Sequence, residues 1–494
     1  MKLRILCALL GAATTMTPYL SGTVILPRIF GDHMVLQRNA EVTIWGFAAP
    51  YETVTVETDW CEEKPSQLVK RDGRFSITIK TPEAGGPHTI KVKGWNEVVL
   101  NDVLMGEVWL CSGQSNMAFS AQWVYNFAND VKEGRSKPTF DVEKELANID
   151  AQVAAANNPL IRFFNVANVS ADTPQNDLYG AWEVCTPESM RQTSLTGYYF
   201  ARRLVEELDV PVGIINSSWG GTPADVWTPA PLMTGDRVLS EFLKTRDRET
   251  WGPNAPGVLY NAMIHPLVPF KLAGVLWNQG EENVNANRGD EVYAHMFATM
   301  VRGWRSAWGE QLPFFYVQIP PYRYNAENPE AFRAAQLRDQ QRRALDLIPD
   351  SGMVVITDAG NVNDIHPMDK LTVAERLAGW ALYSVYDVSD EIPCGPLFSG
   401  FSEDNGSLRV NFIYANGLQS LDGKPLTDFE VAGADRVFHP ATATIDGDTV
   451  IVSSPEVKEP VAVRFAWTDI ATPNLASGNG LPASTFRSDD WPLE

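Results

Sequence analysis

Cysteine and histidine are both scarce in this chain of 494 residues, which has 5 of the first and 6 of the second. The cysteines stand far apart with no Cys-x-x-Cys pair, so neither a thiolate metal site nor a disulfide-stapled scaffold is indicated. No two histidines have the spacing of a metal-ligand pair. Basic residues fall short as well, 40 against 61 acidic, for a formal charge of −21. Without a basic face the chain is not built for nucleic acid or an anionic membrane surface. There is no internal repeat and no low-complexity tract. No run approaches the roughly 20 apolar residues of a membrane span, so no membrane anchor is expected.

What is present begins with MKLRILCALLGAATT. Lys2 and Arg4 precede a short apolar run, Ile5 to Leu10, and then the small residues Gly11-Ala12-Ala13. That order predicts a secretory signal over residues 1–22 and an exported protein, periplasmic or extracellular, or lysosomal in a eukaryotic cell. Cys7 lacks the small residue before it that a lipoprotein site needs. Removing it leaves Cys61, Cys111, Cys185 and Cys394, among which three pairings are open. Cys111, in an apolar run, reads as a buried free thiol.

The rest of the chain divides into three regions. Residues 23–105 carry β patterning: Thr53–Glu57 and Phe75–Ile79 alternate with period two, Asp72-Gly73 is a hairpin signal, and Gly85-Gly86-Pro87 turns into His88–Val92. They predict a small antiparallel sandwich. Over residues 106–392 the rhythm changes. Apolar runs of strand length (Val108–Cys111, Ile161–Val166, Val212–Ile215, Gly274–Trp277, Phe314–Ile319, Met353–Ile356) alternate with segments of helical period (Tyr198–Leu208, Val292–Trp304, Phe332–Leu345, Leu371–Tyr383). This predicts an α/β fold, a parallel sheet with helices on both faces. The polar residues 120–158 read as a helical or loop insertion. Residues 393–494 return to β, with a hairpin over Ala443–Val452 and a strand over Val461–Trp467.

Parallel sheets place their chemistry at the carboxyl ends of the strands, so the residues just beyond each run are the candidates. After the first comes Gly113-Gln114-Ser115-Asn116. A serine there is far more often a helix cap than a nucleophile, and the second glycine of an α/β-hydrolase elbow is missing. After the third comes Ser218-Trp219-Gly220-Gly221, where a glycine pair lets backbone N–H groups approach a ligand closely. After the fourth comes Asn278-Gln279-Gly280-Glu281-Glu282-Asn283. A side-chain amide here can donate to an oxyanion, although Gln279 alone reads more simply as a loop anchor. After the last comes Asp358, then Asp364-Ile365-His366-Pro367. A carboxylate close to a histidine can hold the ring in one tautomer for a serine. His265 is the rival loop histidine, without a nearby carboxylate.

Serine, glycine, amide and Asp-x-His after successive strands resemble the SGNH hydrolases, whose four blocks supply a nucleophile, two oxyanion donors and a base. At closer range GEVWLCSGQSNM, SSWGGTPADVW, WNQGEEN and DIHPMDK are similar to the sialate O-acetylesterase family and its acetylxylan-type carbohydrate-esterase relatives. The flanks LPRIFGDHMVLQR and Val463–Trp467 with Phe486–Trp491 resemble the two ends of that family, so the likeness spans nearly all of the chain. Asn278 and Glu282 depart from it, where an aromatic and a small residue are expected.

The resemblance implies a flavodoxin-like SGNH-hydrolase sheet flanked by N- and C-terminal β-rich regions, and a carbohydrate O-acetylesterase acting on sialate 9-O-acetyl esters. It casts Ser115 as nucleophile, His366 as base and Asp364 as its orienting acid. The oxyanion donors would be the N–H groups of Ser115 and of Gly220 or Gly221, with the side chain of Gln279 or Asn283. No metal or cofactor is implied. Trp219, Trp227 and Arg323 follow the relevant strands and are candidates for sugar contacts. Two alternatives stand beside this reading. One is an esterase for acetylxylan or other acetylated hemicellulose. The other is a catalytically degenerate carbohydrate-binding protein, suggested by the two β regions and 15 tryptophans.

Overall fold

Seven strands form the sheet around which the other elements are arranged. The computed structural model describes residues 24–246, 252–285 and 291–493; the signal assigned to residues 1–22 lies outside them. The strands are β1 (Glu97–Gly113), β2 (Asn158–Asn165), β3 (Trp182–Cys185) and β4 (Val212–Ser218). Then come β5 (Gly274–Asn278), β6 (Phe314–Val317) and β7 (Ser351–Val354). Their spatial order is β7-β6-β5-β1-β4-β2-β3. All neighbours are parallel except β3, which runs antiparallel to β2 at the edge. Numbered among themselves, β1, β4, β5, β6 and β7 lie in the 2-1-3-4-5 order of a flavodoxin-like sheet, with β2 and β3 added beyond β4. The chain leaves β1 on one side through β4 and on the other through β5. The carboxyl end of β1 is therefore the switch point at which such sheets open a crevice.

The runs of β1, β4 and β5 are continuously apolar because helices cover both faces of the sheet. Pairing sets Leu276 beside Cys111 and Trp277 beside Ser112, on opposite faces. On one face Trp109 meets Phe200 of helix Leu195–Leu208, with ring centroids 5.0 Å apart. On the other Trp277 stacks on Phe297 of helix Tyr293–Trp308 at 6.1 Å. The polar stretch after β1 holds two helices, Ala121–Lys132 and Val142–Ala155.

β1 also belongs to the N-terminal region. Its residues 97–105 pair with strand Gly85–Lys93, and residues 107–113 continue into the central sheet against β4. One strand thus crosses the 105/106 position without a break. The Asp72-Gly73 signal is a turn, with Gly73 at φ +70°, but not a hairpin. Strand Ser66–Leu68 before it pairs with Thr53–Thr58, whereas Arg74–Lys80 after it pairs with Glu41–Phe47. Period-two alternation marks both strands but says nothing of their partners, and here the chain steps between the two layers of a sandwich.

The C-terminal region has its own buried cluster, including Leu408, Val450 and Phe465. Its hairpin Thr442–Asp446 to Thr449–Ser453 turns at Gly447. The fully buried Arg338 fastens this region to the α/β layer through Thr485 Oγ1 at 3.1 Å and Thr468 O at 2.5 Å. Cys61, Cys111, Cys185 and Cys394 are all free thiols. No described helix is long and apolar enough to cross a membrane.

Gly113 closes β1 at φ +130°, and a Cβ there would collide with the carbonyl of Asn278 on β5. Gly113→Ala should therefore cost about 2 kcal/mol or more, read as a lowered midpoint in thermal denaturation with retained secondary structure at room temperature. An unchanged midpoint would show that the two strand ends are not held this tightly.

Candidate active site

The end of β1 is clamped from both sides. Gly113 O accepts from Trp219 N at 3.0 Å, and Gln114 N donates to Asn278 O at 3.0 Å. Gln114 is the non-helical residue before the short helix Ser115–Ala118, so Ser115 is its first helical residue and not its cap. The N–H of a first helical residue has no acceptor within the helix. The Gln114 side chain turns the other way. Its Oε1 accepts from Gly280 N at 3.2 Å, Glu282 N at 3.2 Å and Gln279 Nε2 at 3.1 Å. These bonds lock the serine turn to the loop after β5.

Ser115 keeps 7% of its surface exposed. Gly220, from the loop after β4, packs against it: a Cβ at Gly220 would stand 3.3 Å from Ser115 Cβ and 3.6 Å from the Trp123 ring. The next residue, Gly221, has φ +65°. Among the described residues no acceptor is paired with the N–H of Ser115 or Gly220.

His366 comes from the long loop after β7. Its Nε2 lies 2.9 Å from Ser115 Oγ. Trp123 stands edge-on to the imidazole at 5.6 Å and Phe119 lies at 6.3 Å. Burial, and then the nearby Lys370 ammonium, push the imidazole pKa down to about 4, against the opposing pull of Asp364. At neutral pH the ring is uncharged, and the Ser115 hydroxyl can donate to Nε2.

Asp364 sits in the same turn, but its oxygens are used differently from the expectation. Oδ1 accepts the main-chain N–H of His366 at 2.9 Å, and Oδ2 accepts from Thr139 Oγ1 at 2.5 Å. Among the described residues no hydrogen bond joins Asp364 to the imidazole. A short carboxylate two residues before a histidine reaches the main-chain N–H of its own turn more readily than the ring, as an Asx turn does. Asp358, the other carboxylate of the loop, is held by Arg376 through two bonds of 2.7 and 2.6 Å. His265 points away from the site, its Nδ1 donating to Gln175 O at 2.9 Å.

Gln279 is completely buried. Its amide nitrogen donates to Gln114 Oε1, to Thr222 O at 3.2 Å and to Asn283 Oδ1 at 2.7 Å, while its Oε1 accepts from Tyr293 at 2.8 Å. The geometry is that of a loop anchor rather than of a donor aimed into the crevice. Asn283 Oδ1 also accepts from Ala224 N at 3.1 Å, which fixes the loop after β4. Trp227 does not face a sugar. It is fully buried, donates to Thr222 Oγ1 at 2.9 Å and packs edge-on to Trp277. Its aromatic surface is core. Trp219 is half-buried, and its main chain clamps β1. Arg323 is half-buried and its N–H donates to Val362 O at 3.0 Å, so it is tied to the histidine loop.

Several residues at the site were not singled out by sequence reasoning. Trp123 and Thr139 arrive from the polar insertion, whose composition carried no signal of chemistry. Asn116, Glu281 and Lys370 lay inside three of the quoted blocks, and their presence beside the serine, amide and histidine was the available signal. Among the described residues no group of three or more His, Cys, Asp or Glu side chains is placed to hold a metal ion.

The known proteins similar to this chain are carbohydrate esterases. Residues 105–366 match the family described as carbohydrate esterase, sialic acid-specific acetylesterase. The sialate O-acetylesterase of Homo sapiens is 29% identical over 478 residues, covering 88% of this chain and 86% of that protein. That of Mus musculus is 29% identical over 502 residues, covering 88% of each. A solved structure of a carbohydrate acetylesterase from Xanthomonas citri superposes with a TM-score of 0.82 at 34% identity, covering 95% of this chain and 100% of that one. With more than half of its length in the matched segment, the chain belongs to the sialic acid-specific acetylesterase family of carbohydrate esterases and is an ester hydrolase.

Proposed function

We propose that the protein is an SGNH-type O-acetylesterase that frees sugar hydroxyls through an acetyl-enzyme on Ser115. The observation that carries this reading is the 2.9 Å contact between Ser115 Oγ and the neutral His366 Nε2 at the switch point of the sheet. As Oγ attacks the acetyl carbonyl, His366 takes its proton, and the carbonyl oxygen becomes an oxyanion. The N–H groups of Ser115 and Gly220 receive that charge, with Gly221 shaping the turn. The intermediate collapses as His366 passes the proton to the departing sugar oxygen. Water then attacks the acetyl-serine, giving its proton to His366, which returns it to Oγ as acetate leaves.

Asp364 serves in two ways. Its oxygens fix the histidine turn, and its charge stabilises the imidazolium that forms. Gln279 acts by holding Gln114 and Thr222 in place, and Trp123 forms a wall of the acyl site. The chain reads as an N-terminal sandwich over residues 23–105, a hydrolase unit over 106–392 and a C-terminal β region over 393–494, exported after removal of residues 1–22.

Acetylated sialic acid is the first reading of the substrate, supported by the names of the 29% relatives. An acetylated hemicellulose is the second; the 34% structural relative is described as a carbohydrate acetylesterase, a description that fits either substrate. Acetate release from O-acetylated sialoglycan and from acetylated xylan, measured side by side, separates them. Faster release from the sialoglycan is expected; release from xylan alone would select the second reading.

A mutation series checks the roles. Ser115→Ala and His366→Ala should each lower kcat on p-nitrophenyl acetate by at least about 10⁴-fold with the fold intact. Asp364→Asn should cost on the order of tenfold, the equivalent of one pKa unit of imidazolium stabilisation. Near-normal activity in Ser115→Ala refutes the assignment.

The pH profile checks the base. A histidine with a lowered pKa stays unprotonated as pH falls, so activity persists in acid and is lost only below that pKa. The acidic limb of kcat/KM should lie near pH 4, not near the ordinary histidine value of 6.5. A limb at 6.5 contradicts a His366 imidazole held uncharged by its burial.

A further inference from the structure

Three segments of the crevice meet at the side-chain amide of one residue, Asn116, which directly follows the serine. Its Nδ2 donates to Ile365 O at 2.9 Å, immediately before His366, and to Glu281 Oε1 at 2.5 Å in the short helix Glu281–Asn285 that follows β5. Its Oδ1 accepts from Lys370 Nζ at 2.7 Å. Lys370 donates also to Pro367 O at 2.7 Å, immediately after His366, and its ammonium sits 4.8 Å from the Phe119 ring centroid. Asn116 and Lys370 thus grip the two peptide carbonyls that bracket the histidine.

Lys370 is 1% exposed and Glu281 is 0% exposed. Lysine and glutamate are almost never buried this far unless paired, because each charge loses its water. Here they face one another across a neutral amide that can serve both, donating to the carboxylate and accepting from the ammonium. Lys370 is moreover the first residue of helix Lys370–Ser384, where the helix dipole disfavours a cation. Burial and the helix start both disfavour a cation at that position, and its contacts lead to the histidine turn.

We propose, building on the reading of Ser115 and His366 as the reacting pair, that Lys370 is a positioning residue for the hydrolysis. Its ammonium fixes the His366 turn to the serine turn through Pro367 O and Asn116, and it sets a positive charge near the imidazole.

The charges around this group are few. Lys370 and Asp364 act on the imidazole with opposite sign. Glu281, Asp364 and Asp369 favour the charged form of Lys370, against a burial that pushes its pKa down to about 7. Burial pushes the Glu281 carboxyl up, and the Asn116 amide and Lys370 pull it back. The aromatic residues packed against the imidazole, Phe119 and Trp123, add no charge. In acid, where His366 titrates, Lys370 carries its full charge and opposes protonation of the ring.

The test is kcat/KM against pH for Lys370→Met and Lys370→Arg on p-nitrophenyl acetate, beside Ser115→Ala. In Lys370→Met the acidic limb should move up by about one pH unit, because the opposing cation is gone. Its kcat should fall by about tenfold or more with KM changed far less, as for an interaction expressed in the transition state. Lys370→Arg, which keeps the charge, should keep the limb of the parent enzyme. A merely structural lysine would leave the limb in place when replaced by methionine, and that result overturns the proposal. If Lys370→Met does not fold, Lys370→Gln replaces it. That variant removes the charge but keeps an N–H donor for the turn, so its limb should also move up, and an unmoved or lowered limb overturns the proposal. The Ser115→Ala arm separates two failures: activity there refutes the reacting pair itself, whereas an inactive Ser115→Ala with an unmoved limb in the lysine variant refutes only the role of Lys370.

Discussion

The hydrogen bond between Ser115 and His366 joins residues 251 apart in sequence, and it depends on a strand that ends in the middle of a sheet. β1 lies between β4 and β5, so its last residues are hemmed in by both neighbours before the chain can turn. Only a residue without a side chain fits at Gly113. The turn beyond it sets Ser115 against Gly220. The loop after β7 then crosses from the edge strand to the centre to bring the imidazole into range. Without the central position of β1, neither the glycine loop nor the histidine loop would have a common point to reach.

The electrostatics result from the same burial. A general base must be neutral before the reaction and charged during it, and a buried ring favours the neutral form. Asp364 offsets part of that bias, while Lys370 adds to it. The polar side chains behind the serine are engaged with one another to a large extent: Gln114 with the loop after β5, Gln279 with Thr222, Asn283 and Tyr293, Asn116 with Glu281 and Lys370. Such a network keeps side chains from drifting, because a buried polar group that loses its partner is costly. Among the described residues the N–H groups of Ser115 and Gly220 have no acceptor, which is why they are proposed as the oxyanion donors.

Much of the sheet was legible because a strand buried on both faces must be a continuous apolar run, and each of the six expected parallel strands overlaps an observed one. β3 was missed: Trp182–Cys185 is a four-residue edge strand, too short for a pattern. The Asp72-Gly73 turn was visible, but pairing across a sandwich depends on which face each strand buries and not on the turn. Ser115 and His366 could be found because a strand end and an ordered set of blocks narrow the choice. Orientation could not. Nothing in Asp-x-His distinguishes a carboxylate on the ring from one on the main-chain N–H of its own turn, and nothing in Trp227 distinguishes a sugar platform from core. Asn116, Glu281 and Lys370 each resemble ordinary polar residues until the fold brings three segments together.

The central claim is that Ser115 carries the acyl group. It is tested most directly by acid-quenching the enzyme during turnover of an acetyl ester and locating the adduct by peptide mass spectrometry. The account predicts a transient acetyl group on the peptide containing Ser115, with none elsewhere that forms and decays at the rate of turnover. Turnover that proceeds with no acetyl-enzyme, or with the acetyl group on a different residue, would contradict it.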